Sequence, residues 1–187
     1  MYKDMRQERF DKFFSHLEKL PASLIAKNIK PKEDYFRIKN DMPILDALDL
    51  LEKYECLILE NGDVITKEQA MSKPVKTIFY ALIIEIEYRL YKVLKEKVKS
   101  SKELYSLEFN QLIKMFLSYD DIFKKQNIYT KKQDMKKDLK AISSFRNIIM
   151  HSPRKLDLIT RYDIIIKRKQ QALKLTKALG QLYPKKV

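Results

Sequence analysis

Apolar positions along this chain change their spacing once, near Lys73-Pro74. Upstream, the patterns are short and mixed. Met5, Phe10, Phe13, Phe14, Leu17 and Leu20 recur every three or four residues and predict an amphipathic helix over residues 3–20, ended by Pro21. A polar connector holding Pro21 and Pro31 leads to Tyr35-Phe36-Arg37-Ile38, a short alternating stretch. A helix opening at Asp41, with Pro43 in its first turn, would bury Ile44, Leu45, Leu48, Leu51 and Tyr54. Two apolar runs, Cys56–Leu59 and Val64–Ile65, then flank Asn61-Gly62. That pair predicts a β-hairpin with a type I′ turn, because both residues tolerate positive φ.

Downstream of Pro74 the period becomes helical, with no strand signal and no glycine before Gly180. Four helices are predicted: about Pro74 to Val98, about Leu104 to Tyr119, about Thr130 to His151 with Thr130 as cap, and Asp157 to about Leu182 with Gly180 near its end. Short polar connectors join them, and an antiparallel bundle buries their apolar stripes most simply. The expected fold is mainly α: a small α+β unit over residues 1–72, then a four-helix bundle over residues 73–187.

Composition narrows the setting. With 45% hydrophobic residues in 187, the chain can bury a core and is not a disordered chain. One cysteine, Cys56, cannot form an internal disulfide, and with only His16 and His151 beside it a zinc cluster is not expected. The charged N-terminus predicts no export signal. The most apolar later stretch, Ile78 to Leu94, is interrupted by Glu85, Glu87, Arg89 and Lys92, so no membrane span is expected. These features together predict a cytoplasmic protein without cofactor or metal.

Charge is uneven. From Lys124 to Val187 there are eighteen Lys or Arg against four Asp and no Glu, so the whole formal excess of +14 falls in the last third. Such a field attracts polyanions, since Lys and Arg displace counterions from a phosphate backbone. A solubilising lysine-rich face is the plainer alternative. A membrane surface fits less well, because the basic helices lack Trp and a single wide apolar face.

Chemistry concentrates late in the third predicted helix, in Phe145-Arg146-Asn147-Ile148-Ile149-Met150-His151-Ser152-Pro153. An imidazole near neutral pKa can act as general base, and a guanidinium keeps its charge and offers a planar fork to phosphate oxygens. Asn147 stands four residues before His151 on one helical face, where its amide could orient the ring. Arg146 lies roughly 140° from His151 on an ideal helix, so one helix does not aim both at one phosphate. Pro153 disfavours helical geometry at Ser152, which would let the helix end open and swing His151. The plainer alternative is that His151 caps carbonyls at a helix C-terminus. Glu85 and Glu87 could ion-pair with Arg146 or lie on a solvated face as readily as act in catalysis. His16, on an aromatic-rich helix, is expected to be a surface or core residue.

Arg-Asn followed by three residues and His, late in the third helix of a bundle, resembles the R-x4-6-H signature of the HEPN family. Glu87-Tyr88-Arg89-Leu90 is similar to the E-x-x-L run of first helices in HEPN-like and Abi-like proteins, although Tyr91 stands where an Arg often follows. The likeness covers roughly residues 74–183. It implies a metal-independent endoribonuclease acting as a homodimer, with Arg146 and His151 catalytic and Asn147 accompanying them. It further implies RNA as partner, a role as toxin or defence effector, and an antitoxin or nucleotidyltransferase partner. A non-catalytic RNA-binding or adaptor module on the same basic face is the alternative. Upstream, Ile44–Leu51, Cys56–Leu59 and Gly62–Thr66 resemble part of a single CBS-like motif. Gln69 stands where nucleotide-binding CBS pairs usually carry Asp, so packing or pairing of protomers is the expected role there.

Overall fold

The computed structural model describes residues 15–31, 33–98, 104, 106–151 and 162–182. Most of them are helical, with one three-stranded sheet. The chain divides into two compact units: residues 1–81 with 158–166, and residues 82–157 with 167–187.

In the first unit, β1 (Tyr35–Ile38), α1 (Ile44–Leu50), β2 (Cys56–Leu59) and β3 (Val64–Thr66) follow one another. The sheet order is β1-β2-β3, with β1 parallel and β3 antiparallel to β2. A parallel pair requires a crossover, and α1 supplies it. Pro43 sits just outside α1, not inside its first turn, and Ile44, Leu45, Ala47 and Leu48 are buried. Tyr54 is only half-buried and stacks on Phe36 with ring centroids 4.9 Å apart. All four residues of β2 are buried, as expected of a central strand. Beyond β3, Lys27 exchanges two 2.8 Å backbone hydrogen bonds with Val64.

The hairpin forms, but its turn differs from the type I′ expectation. The Leu59 N–H donates to Asp63 O, and Gly62 N–H donates to Leu59 O, both at 2.9 Å. Three residues therefore span the turn. Only Gly62 takes positive φ, at 88°, while Asn61 does not. This is a three-residue loop in which a type I turn is followed by a left-handed glycine. Asn61 acts through its side chain, which accepts from Asp63 N–H at 3.1 Å.

After β3 a short 3-10 helix, Lys67–Met71, is held by a capping box: Gln69 Oε1 accepts the Thr66 N–H at 2.6 Å. Tyr162, distant in sequence, donates its hydroxyl to the Leu48 carbonyl, and Lys67 lies 5.6 Å over its ring. Burial, with the negative charges of Glu52 and Asp49, pushes the Tyr162 phenol above its ordinary range.

Helix α2 (Lys73–Lys95) carries residues of both units. The second unit also holds α3 (Phe109–Ser118), the short α4 (Asp120–Phe123), α5 (Lys132–His151) and most of α6 (Tyr162–Leu182). Leu104 is helical, as the apolar pattern predicts, but residues 106–108 are not, and α3 starts anew at Phe109 behind a capping box in which Gln111 accepts the Glu108 N–H at 2.7 Å. Phe109, Leu112, Ile113 and Phe116 form its buried stripe, and α5 contributes Met135, Leu139, Ile142 and Phe145. Burying one such side chain stabilises by roughly 1.5–3 kcal/mol. α3 packs antiparallel to α5: Asn110 meets Ser143 at one end, and Asp120, just past α3, pairs with Lys132 at the other. Residues 3–14 of the first predicted helix and the 157–161 start of the last lie outside the described residues.

Candidate functional site

Arg146 sits one helical step off the buried stripe of α5. Its side chain is 29% exposed, as is that of Glu87 on α2, and Nη2 approaches Glu87 Oε2 at 3.7 Å. Phe109 lies beneath the guanidinium, 5.8 Å from its centre, within cation–π range. The Nε atom is buried without a hydrogen-bond partner among the described residues. The charge is thus set against one carboxylate and one ring.

Arg146, Asn147, Ser143 and Glu87 line a polar cleft of about 440 Å³ with Leu107, Glu108, Phe109 and Asn110. Ser143 Oγ donates to Asn110 Oδ1 at 2.6 Å, which fixes the amide and leaves its NH₂ as a donor. Asn147 is exposed. Arg146 and Asn147 therefore share one cleft although they occupy successive positions of the helix. His151 is the last residue of α5; its side chain, Ser152 and Pro153 lie outside the described residues. Asn110, Ser143 and Phe109 carry no local sequence signal for this place. Asn110 and Phe109 meet Arg146 only through the antiparallel packing of α3 on α5, whereas Ser143 stands one turn before Asn147 on α5 itself.

The carboxylates of α2 divide. Glu87 faces Arg146, whereas Glu85, only 3% exposed, pairs with Arg89 one turn on. The second oxygen of Glu85 is buried without a hydrogen-bond partner among the described residues. Arg89 fits beside α6 because position 180 is glycine: a Cβ there would fall 2.5 Å from Arg89 Nη1. Gly180 lies inside α6, which continues to Leu182, so it makes room and does not end the helix. His16 is exposed.

Elsewhere in the unit, Asp138 accepts from Tyr129 Oη and Gln171 Nε2, each at 2.8 Å. Burial first, and Asp138 second, push the Tyr129 phenol far above its ordinary range. Burial also lowers the pKa of Arg168, against the opposing charge of Asp138. Among the described residues no cluster of His, Cys, Asp and Glu could hold a metal ion, and no helix is long and apolar enough to cross a membrane.

Compared with protein-family models, curated proteins and solved structures, the chain matches none.

Proposed function

We propose that the chain is a metal-independent endoribonuclease of HEPN type that works as a homodimer. Arg146 carries this reading: a guanidinium aimed by Glu87 and Phe109 into a polar cleft beside Asn147, on the helix that ends in His151. In this reading α2, α3, α5 and α6 are the four helices of an antiparallel HEPN-like bundle. The sheet unit serves packing or pairing of protomers, since Gln69, at the position of the CBS aspartate, is occupied by the Thr66 cap.

The chemistry needs few groups because RNA brings its own nucleophile. A base removes the 2′-OH proton, and the oxygen attacks the adjacent phosphorus. The 5′-oxygen leaves and takes up a proton, giving a 2′,3′-cyclic phosphate and a 5′-hydroxyl. His151 is the proton-transfer group. Arg146 stabilises the charge that builds on the phosphorane oxygens. Because five residues on an ideal helix set positions 146 and 151 roughly 140° apart, the reading requires a two-fold partner that brings a second copy of each into reach.

A second reading, a non-catalytic RNA-binding or adaptor module, is favoured by one observation: the Arg146 guanidinium already faces a carboxylate. One experiment separates them. Purified protein is incubated with total RNA in the presence of a chelator, and fragment ends are mapped. Fragments ending in 2′,3′-cyclic phosphate, lost in His151→Ala with RNA affinity retained, support the nuclease. RNA binding without fragments under any condition selects the binding module. Under the nuclease reading, co-purification of a second chain identifies an antitoxin or nucleotidyltransferase partner of a toxin or defence effector.

A further inference from the structure

Lysines near the cleft are sorted along one side of a helix. At about 100° per residue, Lys136, Lys140 and Ser143 fall within about 40° of the line through Asn147, whereas Asp134 and Asp138 lie about 140° and 180° away. Asp138 is engaged by Tyr129 and Gln171. Across the seam, one turn on from Asn110, α3 carries Lys114, the single charged residue in that helix. Lys114 and Lys140 are exposed and Lys136 is half-buried. None of the three is ion-paired to a described residue. The nearest acids at the far end, Asp120 and Asp121, are matched by Lys132 and Lys97.

We propose that Lys114, Lys136 and Lys140 form a cationic strip along the α3–α5 seam that holds the phosphates of single-stranded RNA leading into the Arg146–Asn147 cleft. The proposal deepens the RNA reading above and rests on it. By helical rise the strip extends about 16 Å from Asn147 to Lys136. A narrow line of cations suits one sugar–phosphate backbone rather than the two of a duplex, and the exposed Asn110 continues it as a neutral donor at the cleft mouth, its amide oxygen held by the buried Ser143. Each phosphate contact releases counterions, so a strip of discrete contacts differs from a diffuse field in its salt dependence.

The test uses full-length protein and a short single-stranded 2′-O-methyl oligoribonucleotide, which lacks the nucleophile and cannot be cleaved. Binding is measured across a salt series for wild type, for K114Q/K136Q/K140Q, and for a charge-matched control, K125Q/K167Q/K177Q, at exposed positions outside the seam. The strip variant is expected to lose roughly ten- to hundred-fold in affinity at low salt and about 2 from the slope of log K against log salt, at about 0.7 per phosphate on a single strand. The control is expected to retain most of the wild-type slope. Equal losses in both variants would mean a diffuse field and overturn the strip. Retention of an acidic peptide but not the oligonucleotide by wild type would overturn it in favour of a protein partner. Cleavage of unmodified RNA is followed in parallel. Wild-type cleavage with no affinity loss in the strip variant removes the strip and leaves the nuclease. Affinity loss without any wild-type cleavage keeps the strip and removes the nuclease.

Discussion

Arg146 on α5 and Glu87 on α2 face each other at 3.7 Å, each with 29% of its side chain exposed. At that exposure an ion pair contributes at most about 1 kcal/mol net, so the contact matters more for aiming the guanidinium than for holding the fold. Replacing Glu87 with Gln should leave the urea midpoint nearly unchanged, with a stability change within about 0.5 kcal/mol. Under the nuclease reading it should lower kcat about tenfold with little effect on KM, as expected for a positioning residue. A large rise in KM with unchanged kcat would contradict that role.

Gly180 and Arg89 make a second prediction, in which two effects oppose each other. Alanine is a better helix former than glycine by up to about 1 kcal/mol. Here its Cβ would fall 2.5 Å from Arg89 Nη1, the far end of a flexible side chain, so the guanidinium must turn while the Nε that pairs with Glu85 can stay in place. Turning that side chain offsets part of the helix gain, so G180A should change stability by less than about 1 kcal/mol. In an E85L/R89M background the same substitution should be more favourable than in wild type. A double-mutant cycle by chemical denaturation gives the sign, and equal effects in both backgrounds would refute the coupling.

Gln126 is a buried side chain that organises the loop before α5. Its Oε1 accepts from the Ile128 and Tyr129 N–H groups at 2.9 and 2.8 Å, and its Nε2 donates to Tyr129 O at 2.9 Å. Gln126→Ala should cost about 2–3 kcal/mol, because it strands three backbone groups at once. Gln126→Glu keeps the acceptor but buries a charge and sets a carboxylate oxygen against Tyr129 O, so it should cost at least as much at neutral pH and less when the carboxyl is protonated. Urea midpoints at unchanged m report both.

Acid pH should weaken the fold partly through Asp120 and Asp121. A hydrogen bond from Lys132 lowers the Asp120 pKa, and one from Lys97 lowers that of Asp121, each below the ordinary 3.8. A depressed carboxylate pKa contributes stability that is full above the unfolded value and is lost as pH falls through the folded one. D120N/D121N should therefore flatten the stability–pH curve below about pH 4, and added salt should shrink the difference. An unaltered acid limb would show that these exposed pairs contribute nothing measurable.

Element types were legible where a local pattern decides them, and details were not where a distant contact does. Asn61-Gly62 announces a hairpin, yet the turn type depends on the pairing of Leu59 with Asp63, which places Asn61 outside the left-handed region. Apolar spacing from Leu104 to Tyr119 suggests one helix; Leu104 is helical, but residues 106–108 are not, and the Glu108–Gln111 box starts α3 at Phe109. Near the site, Arg146 and Asn147 stand out in the sequence, whereas Asn110 and Phe109 reach the cleft only because α3 packs against α5. Either Glu85 or Glu87 could have met Arg146 on sequence grounds. Arg89, one turn beyond Glu85, takes that carboxylate and leaves Glu87 for Arg146.

Cys56, the chain's single thiol, lies fully buried in the middle strand of the sheet. A thiol-specific reagent can reach it only when that strand opens, so the rate of labelling in native buffer is a built-in clock for transient opening of the sheet unit alone. Helices of the other unit carry no cysteine and stay silent. Timing the modification with and without RNA would then reveal whether engagement at one unit is felt thermodynamically by the other.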